Sequence, residues 1–306
     1  MTSSTPDSSG SPSNDRSGRG SRRVPGWSGL SARRRTLLVC AVPFVALLVV
    51  AASAPLPFAL AQPGVTADVL GENRGKEVVT VTKGAAAGGR GGADSGKLLM
   101  TTIAATPPGA TVRLPDVAQA WFATDRAAMP ASAVYPGGGS TRQIERQNAR
   151  EMTASQNAAV KAALRQLHRS PEDVHVRLRL ADVGGPSAGL LFSLGIVDKL
   201  GGGTGSGGNG SGGTRTGGTG GLTGGRTIAG TGTIDARGNV GAVGGVPLKT
   251  QAAQRDGARY FLLPKAECAE AKGTLPKGLR LIPVTSLDDA LSALKALRGG
   301  GHVPRC

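Results

Sequence analysis

The spacing of apolar residues changes period several times along this chain, and each change predicts an element. Leu37 to Ala61 carries no charge, and about 25 residues in a helix are enough to cross a hydrocarbon core of about 30 Å. Glu77 to Thr82 and Leu98 to Ile103 are β-branched or apolar runs of strand length between Gly-rich breaks. Pro115 to Ala128 reads as a short helix with Pro at its start, carrying Val117, Ala120, Trp121 and Ala128. A longer helix is expected from about Ser140, where Gln143 completes a capping box, to Leu167, with a break near Thr153. Val174 to Leu180 then alternates strictly, apolar on one face and His or Arg on the other, as a half-buried strand does.

Beyond that strand come Gly185-Pro186-Ser187-Ala188-Gly189, an apolar helix with Leu190, Leu191, Leu194 and Val197, and the run Ile228 to Ile234. Gly244-Gly245-Val246-Pro247-Leu248-Lys249 opens another helix, which ends at Gly257. Tyr260 to Pro264 and Leu279 to Val284 read as buried strands, and Ser286 as the cap of a last helix, Leu287 to Leu297. The rhythm is that of an α/β (α+β) domain. Residues 1–35, rich in Ser, Gly, Pro, Asp and Arg, hold too little apolar surface to offset the entropy of ordering.

Arg33-Arg34-Arg35 precede the apolar run, which keeps the N-terminus cytoplasmic and sends the rest outward. The other reading of the run is a cleaved signal peptide with Ala51-Ala52-Ser53-Ala54 as its site. The long stretch before the run, and about 18 apolar residues up to that site, favour a retained anchor over residues 36–61. The expected contact there is membrane lipid, with the rest of the chain outside. In an oxidising compartment Cys268 and Cys306 are free to bridge, the alternative being two unpaired thiols.

With 49 Gly and 3% aromatic residues in 306, part of the chain lies outside any packed core. The net charge of +16 is the one feature that points to nucleic acid, but Arg is scattered and Phe and Tyr are too few for a stacking platform. Gly91 to Lys97 imitates a phosphate-cradling loop, yet Leu98 replaces the Ser or Thr that would hold magnesium and a strand follows. Neither nucleic acid, nucleotide, metal nor other cofactor is expected. His168, His175 and His302 read as surface or strand residues, and Asp182 as a strand-end cap.

A serine between small residues at a strand-to-helix turn, with a lysine at the head of a later helix, fits Ser-Lys nucleophilic catalysis. Gly185 and Pro186 set the turn, while Ala188 and Gly189 leave the Ser187 hydroxyl approachable and nearby amides available to an oxyanion. Lys249 must be neutral to act as base. At an ordinary lysine pKa about one molecule in 2,500 is neutral at pH 7, so burial has to lower it, and a pKa lowered by about three costs about 4 kcal/mol. Val246, Leu248, Ala252 and Ala253 are the apolar company for that.

The order of helix, alternating strand, Gly-Gly-Pro-Ser-Ala-Gly, apolar helix, Thr-Gly turn and Gly-Gly to Lys249 resembles the proteolytic domain of Lon-type serine-lysine peptidases over residues 152–298. With the anchor, Trp121-Phe122 and Tyr135-Pro136, it further resembles the membrane-anchored extracytoplasmic Lon-like branch. The resemblance implies the Lon proteolytic-domain fold, Ser187 as nucleophile, Lys249 as base, and Thr231 as a supporting residue that orients Lys249. It also implies polypeptide substrates, hydrolysis without ATP and a ring-shaped homo-oligomer. Two departures stand out: only His168 to Asp173 lie where the branch carries a PDZ module, and Gly184 stands where cytosolic relatives carry an acid. Residues 62–151 are expected as a separate extracytoplasmic segment, 201–220 as a flexible Gly-rich insertion and 299–306 as a tail. A catalytically silent envelope scaffold is the alternative function.

Overall fold

The computed structural model describes residues 31–83, 96–135, 139–180, 185–201 and 221–306. Residues 1–30, most of the glycine-rich insertion, Asp182, Gly184 and most of the phosphate-loop imitation therefore lie outside the described residues. The chain divides into two compact units, Met1–Ala51 and Ala52–Cys306.

The first unit contributes most of α1 (Ala32–Ser53), an apolar helix of 22 residues with Pro43 inside it. At 1.5 Å per residue it is about 33 Å long, enough for a hydrocarbon core. It is one helix that qualifies as a membrane span among the described residues. The span expected over 36–61 is corrected at its end. Pro55 and Pro57 cannot continue a helix, and Phe58 to Ala61 instead begin a strand with Ala59 and Ala61 buried.

In the second unit, β1 (Phe58–Asp68) is followed by the small β2 (Glu72–Asn73) and β3 (Lys76–Glu77), then β4 (Val79–Lys83) and β5 (Leu98–Ala105). Next come α2 (Leu114–Phe122), β6 (Ala127–Pro130), α3 (Ala131–Val134), α4 (Thr141–Gln166) and β7 (His175–Leu178). After α5 (Gly189–Gly201) come β8 (Ile228–Gly230), β9 (Thr233–Ile234), β10 (Val240–Gly241) and α6 (Val246–Arg255). The chain finishes with β11 (Tyr260–Pro264), α7 (Cys268–Gly273), β12 (Arg280–Val284) and α8 (Leu287–Gly299).

One sheet runs β12-β11-β8-β5-β1-β6. The strands from β12 to β5 are parallel, and β1 is antiparallel to both β5 and β6. Both faces are covered. Leu98, Met100, Ile228, Leu262 and Ile282 pack with α4, α5 and α8 on one side, while Leu99, Ala229, Phe261, Leu263 and Leu281 pack with α6 and α7 on the other. Alternate residues of each strand thus feed opposite cores, as expected of parallel strands sandwiched between helices.

Because β1, β5 and β6 complete the sheet that β8, β11 and β12 begin, the division expected between residues 62–151 and 152–298 is not a structural boundary. The helix expected over 115–128 stops at Phe122. The polar Thr124-Asp125-Arg126 intervenes, and Ala127–Pro130, including Ala128, becomes an edge strand paired to Phe58–Ala61. Trp121 is exposed rather than part of a core. No break occurs at Thr153, whose hydroxyl donates to the Ala149 carbonyl within a continuous α4. At its start, the Ser140 N–H donates to Gln143 Oε1 at 2.9 Å. The tail is also tied down. Val303 is buried, and its carbonyl accepts from Arg280 Nη2 at 2.8 Å.

Cys268, the first residue of α7, is bonded to Cys306, with a Cα–Cα distance of 5.3 Å and a sequence separation of 38. Closing a loop of that length contributes about 4 kcal/mol in the chain-entropy account. Reducing the bridge should therefore lower the urea midpoint of the oxidised chain by a large fraction of its stability. An unchanged midpoint would show that the bridge adds nothing.

Candidate active site

The site is built from three backbone turns brought to one place by β8 and its neighbours. The first is the Gly185–Gly189 turn ahead of α5. Gly185 has φ +88°, a conformation glycine takes freely. Its N–H donates to the Asn148 carbonyl at 3.3 Å, and Ser155 Oγ donates to the Pro186 carbonyl at 2.9 Å, so α4 grips the turn at two points. A Cβ on Gly189 would come within 3.0 Å of both Ile234 Cγ2 and Ser155 Oγ, so glycine is what lets α5 start this close to its neighbours. Ser187 is half-buried in the turn, and Ala188 is buried behind it.

The second turn is Thr231-Gly232, which leaves the end of β8. Gly232 N–H donates to the Ser187 carbonyl at 2.9 Å, and its own carbonyl accepts from Leu190 N–H at 3.1 Å. The Thr231 hydroxyl, fully buried, donates to the same Ser187 carbonyl at 3.3 Å.

The third turn is Gly244-Gly245 at the head of α6. Gly245 has φ +68° and precedes the helix, and its carbonyl accepts from Lys249 N–H at 3.1 Å. Lys249 therefore lies in the first turns of α6 on the face turned toward the sheet. It is 3% exposed, with Val246, Leu248, Ala252 and Ala253 buried on the same helix. Its Nζ donates to Thr231 Oγ1 at 3.1 Å. Thr231 thus connects the two sequence-nominated groups, taking a hydrogen bond from the lysine and giving one to the serine's backbone.

Burial lowers the Lys249 pKa to about 8, and two carboxylates, Glu267 and Glu270, pull it partway back up. Both precede or lie in α7, which packs on α6. Glu267 Oε1 also accepts the Val243 N–H at 3.3 Å, just ahead of the Gly244-Gly245 turn. The Glu270 carboxyl is itself pushed up, first by burial and then by its hydrogen bond to and repulsion from Glu267.

Ser155, Glu267 and Glu270 also adjoin this site, and no sequence motif marks them. Ser155 has a faint signal, a polar residue three positions after Met152 on the buried stripe of α4. The glutamates have none, since their relation to Lys249 exists only once α7 packs on α6. His168, His175 and His302 are all exposed. Lys97, at the end of the phosphate-loop imitation, runs directly into β5, its N–H donating to the Arg226 carbonyl and its carbonyl accepting from Ile228 N–H.

A buried lysine is thus held, through Thr231, to a serine turn in a mixed α/β sandwich. Residues 220–296 match the family model described as the Lon protease (S16) C-terminal proteolytic domain. That stretch contains Thr231 and Lys249, and Ser187 precedes it. The chain is 46% identical over 70 residues to the Lon protease of Chloroflexus aggregans, covering 22% of this chain and 8% of that protein. It is 42% identical over 69 residues to Lon protease 1 of Myxococcus xanthus, 22% and 8% respectively. It is 39% identical over 74 residues to the archaeal Lon protease of Methanocaldococcus jannaschii, 24% of this chain and 11% of that one. The chain thus spans only a small part of the length of the curated relatives it matches.

Proposed function

We propose that this chain is a serine endopeptidase that hydrolyses polypeptides without ATP, with Ser187 as nucleophile and Lys249 as general base, on the outer side of a membrane to which α1 anchors it. The observation that carries the reading is the burial of Lys249 against Thr231, whose hydroxyl also binds the Ser187 carbonyl. The positive charges Arg33-Arg34-Arg35 at the start of α1 support an outward-facing domain.

In this mechanism neutral Lys249 Nζ takes the proton of Ser187 Oγ as the oxygen attacks the substrate carbonyl carbon. The resulting oxyanion is met by backbone N–H groups at the positive N-terminal end of α5. The C–N bond breaks, the lysine ammonium returns the proton to the departing amine, and an ester is left on Ser187. Water, giving its proton to Lys249, then hydrolyses the ester, and the proton passes back to Ser187. Thr231 holds Nζ in place throughout by accepting its hydrogen bond. Incubation of the detergent-solubilised full chain with unfolded casein, with and without ATP and magnesium, tests the reading. Cleavage at equal rates in both is expected, and cleavage only with ATP would contradict it.

Activity requires neutral Lys249, so kcat/KM should rise with pH to a plateau above about 8, falling about tenfold per pH unit well below it. Glu267 and Glu270 favour the ammonium, so removing their charge lowers the lysine pKa. The Glu267→Gln, Glu270→Gln double variant, which keeps an acceptor for Val243, should therefore move the limb to lower pH. A limb that stays put or moves up would show that these carboxylates do not act on Lys249.

A further inference from the structure

Helix α2 carries the two most exposed large apolar side chains among the described residues of the second unit, Trp121 and Phe122, together with Leu114. Trp121 is 81% exposed, Phe122 87% and Leu114 48%. At 100° per residue, Leu114 and Trp121 lie almost one above the other two turns apart, and Phe122 stands beside Trp121. Ala120, on the opposite side, is buried against the domain. Burial in the fold therefore explains the helix's inner face and leaves an outer face of tryptophan, phenylalanine and leucine that none of the described residues covers.

The course of the chain says what lies nearby. Ser53 ends α1, and three residues later Leu56 N–H donates to the Val112 carbonyl at 2.8 Å, just before α2 begins. Three residues reach at most about 11 Å, and the nine residues of α2 extend about 14 Å further. The chain entering α2 is thus hydrogen-bonded, through Val112, to a segment three residues beyond Ser53. Arg113 and Arg126, both exposed, flank the helix at either end, with Asp116 and Asp125 between them and Arg126 Nη1 donating to Gln119 Oε1 at 3.4 Å. Tryptophan at the boundary between water and lipid, with an apolar neighbour below and cations at the headgroups, is the pattern of an interfacial helix.

We propose that Trp121, Phe122 and Leu114 insert into the outer headgroup region of the bilayer, so that α2 lies on the membrane as a second attachment beside α1. The proposal rests on α1 spanning that bilayer. A domain held by both a span and an interfacial helix has a fixed tilt, which sets how far the Ser187 turn stands from the lipid and selects substrates lying close to the membrane.

The chain has two tryptophans, so Trp27→Phe leaves Trp121 as the sole reporter. The full-length variant is placed singly in nanodiscs of phosphatidylcholine and phosphatidylglycerol, with or without acyl-brominated lipid. A second chain, carrying Phe44→Trp in a background of Trp27→Phe and Trp121→Phe, reports on α1. The expected result is quenching of both probes by brominated lipid, with Trp121 emission at shorter wavelength than in detergent-free unfolded chain. Quenching of the Phe44→Trp probe with Trp121 unquenched at long wavelength would overturn the proposal and leave the anchor intact. A short-wavelength Trp121 that brominated lipid does not quench would also overturn it, since another protein surface would then be the cover. If neither probe is quenched, the anchor fails along with the proposal.

Discussion

Replacement of Ser187 by alanine should abolish polypeptide hydrolysis, with a loss in kcat of at least about ten-thousand-fold, while leaving the fold untouched. The two halves of that expectation come from different atoms of the same residue. The fold uses the Ser187 carbonyl, which accepts from Gly232 N–H and from the Thr231 hydroxyl. The proposed chemistry uses the hydroxyl. Alanine keeps the first and deletes the second, so the thermal midpoint of the variant should match that of the wild type. Residual hydrolysis at the wild-type rate would exclude Ser187 as nucleophile. A collapsed midpoint would show that the hydroxyl is structural.

Lys249→Met should be equally inactive and, at neutral pH, more stable than the wild type by about 3 kcal/mol. The lysine has an ordinary pKa of 10.5 in the unfolded chain and about 8 in the folded one, because burial penalises its charge. Below pH 8 both states hold the proton, and the folded state bears the whole cost, roughly 1.4 kcal/mol per pKa unit. Between pH 8 and 10.5 the unfolded chain still binds a proton that the folded chain has released, so wild-type stability climbs with pH. Above 10.5 the penalty is gone. Methionine has similar length and no charge, and Thr231 keeps its hydrogen bond to the Ser187 carbonyl in the variant. Urea unfolding at pH 7 and at pH 10.5 should show the advantage of methionine at the first and its disappearance at the second. A variant less stable than wild type at pH 7 would mean that the charged lysine is well solvated or well paired.

Much of the second half of the chain could be read directly, because its elements obey local rules. Tyr260 to Pro264 is a strand with those bounds, and Ser286 caps the last helix by accepting Asp289 N–H at 3.1 Å. The turn before α5 and the head of α6, which carry the proposed Ser187 and Lys249, could be placed for the same reason, since small residues mark where each helix begins. What escaped reading depends on distant pairing. The uncharged run ending at Ala61 is helix as far as Ser53 and strand from Phe58; Pro55 and Pro57 mark the break, but the strand itself exists only through pairing with Ala105 and with Ala127 to Pro130. Likewise Trp121 follows the apolar pattern of a core helix but points away from the domain. The glutamates that oppose the lowering of the Lys249 pKa come from a helix that meets it only in three dimensions.

On the proposed mechanism, peptide bonds break through an ester on Ser187. Acid quenching of the full-length chain within its first turnovers of a peptide ester, followed by mass spectrometry of the proteolytic fragment carrying Ser187, tests it directly. The prediction is an acyl group on Ser187 that builds up and then decays, is absent in Ser187→Ala and does not accumulate in Lys249→Met. Steady cleavage of the peptide with Ser187 never acylated, or acylation at another residue, would contradict it.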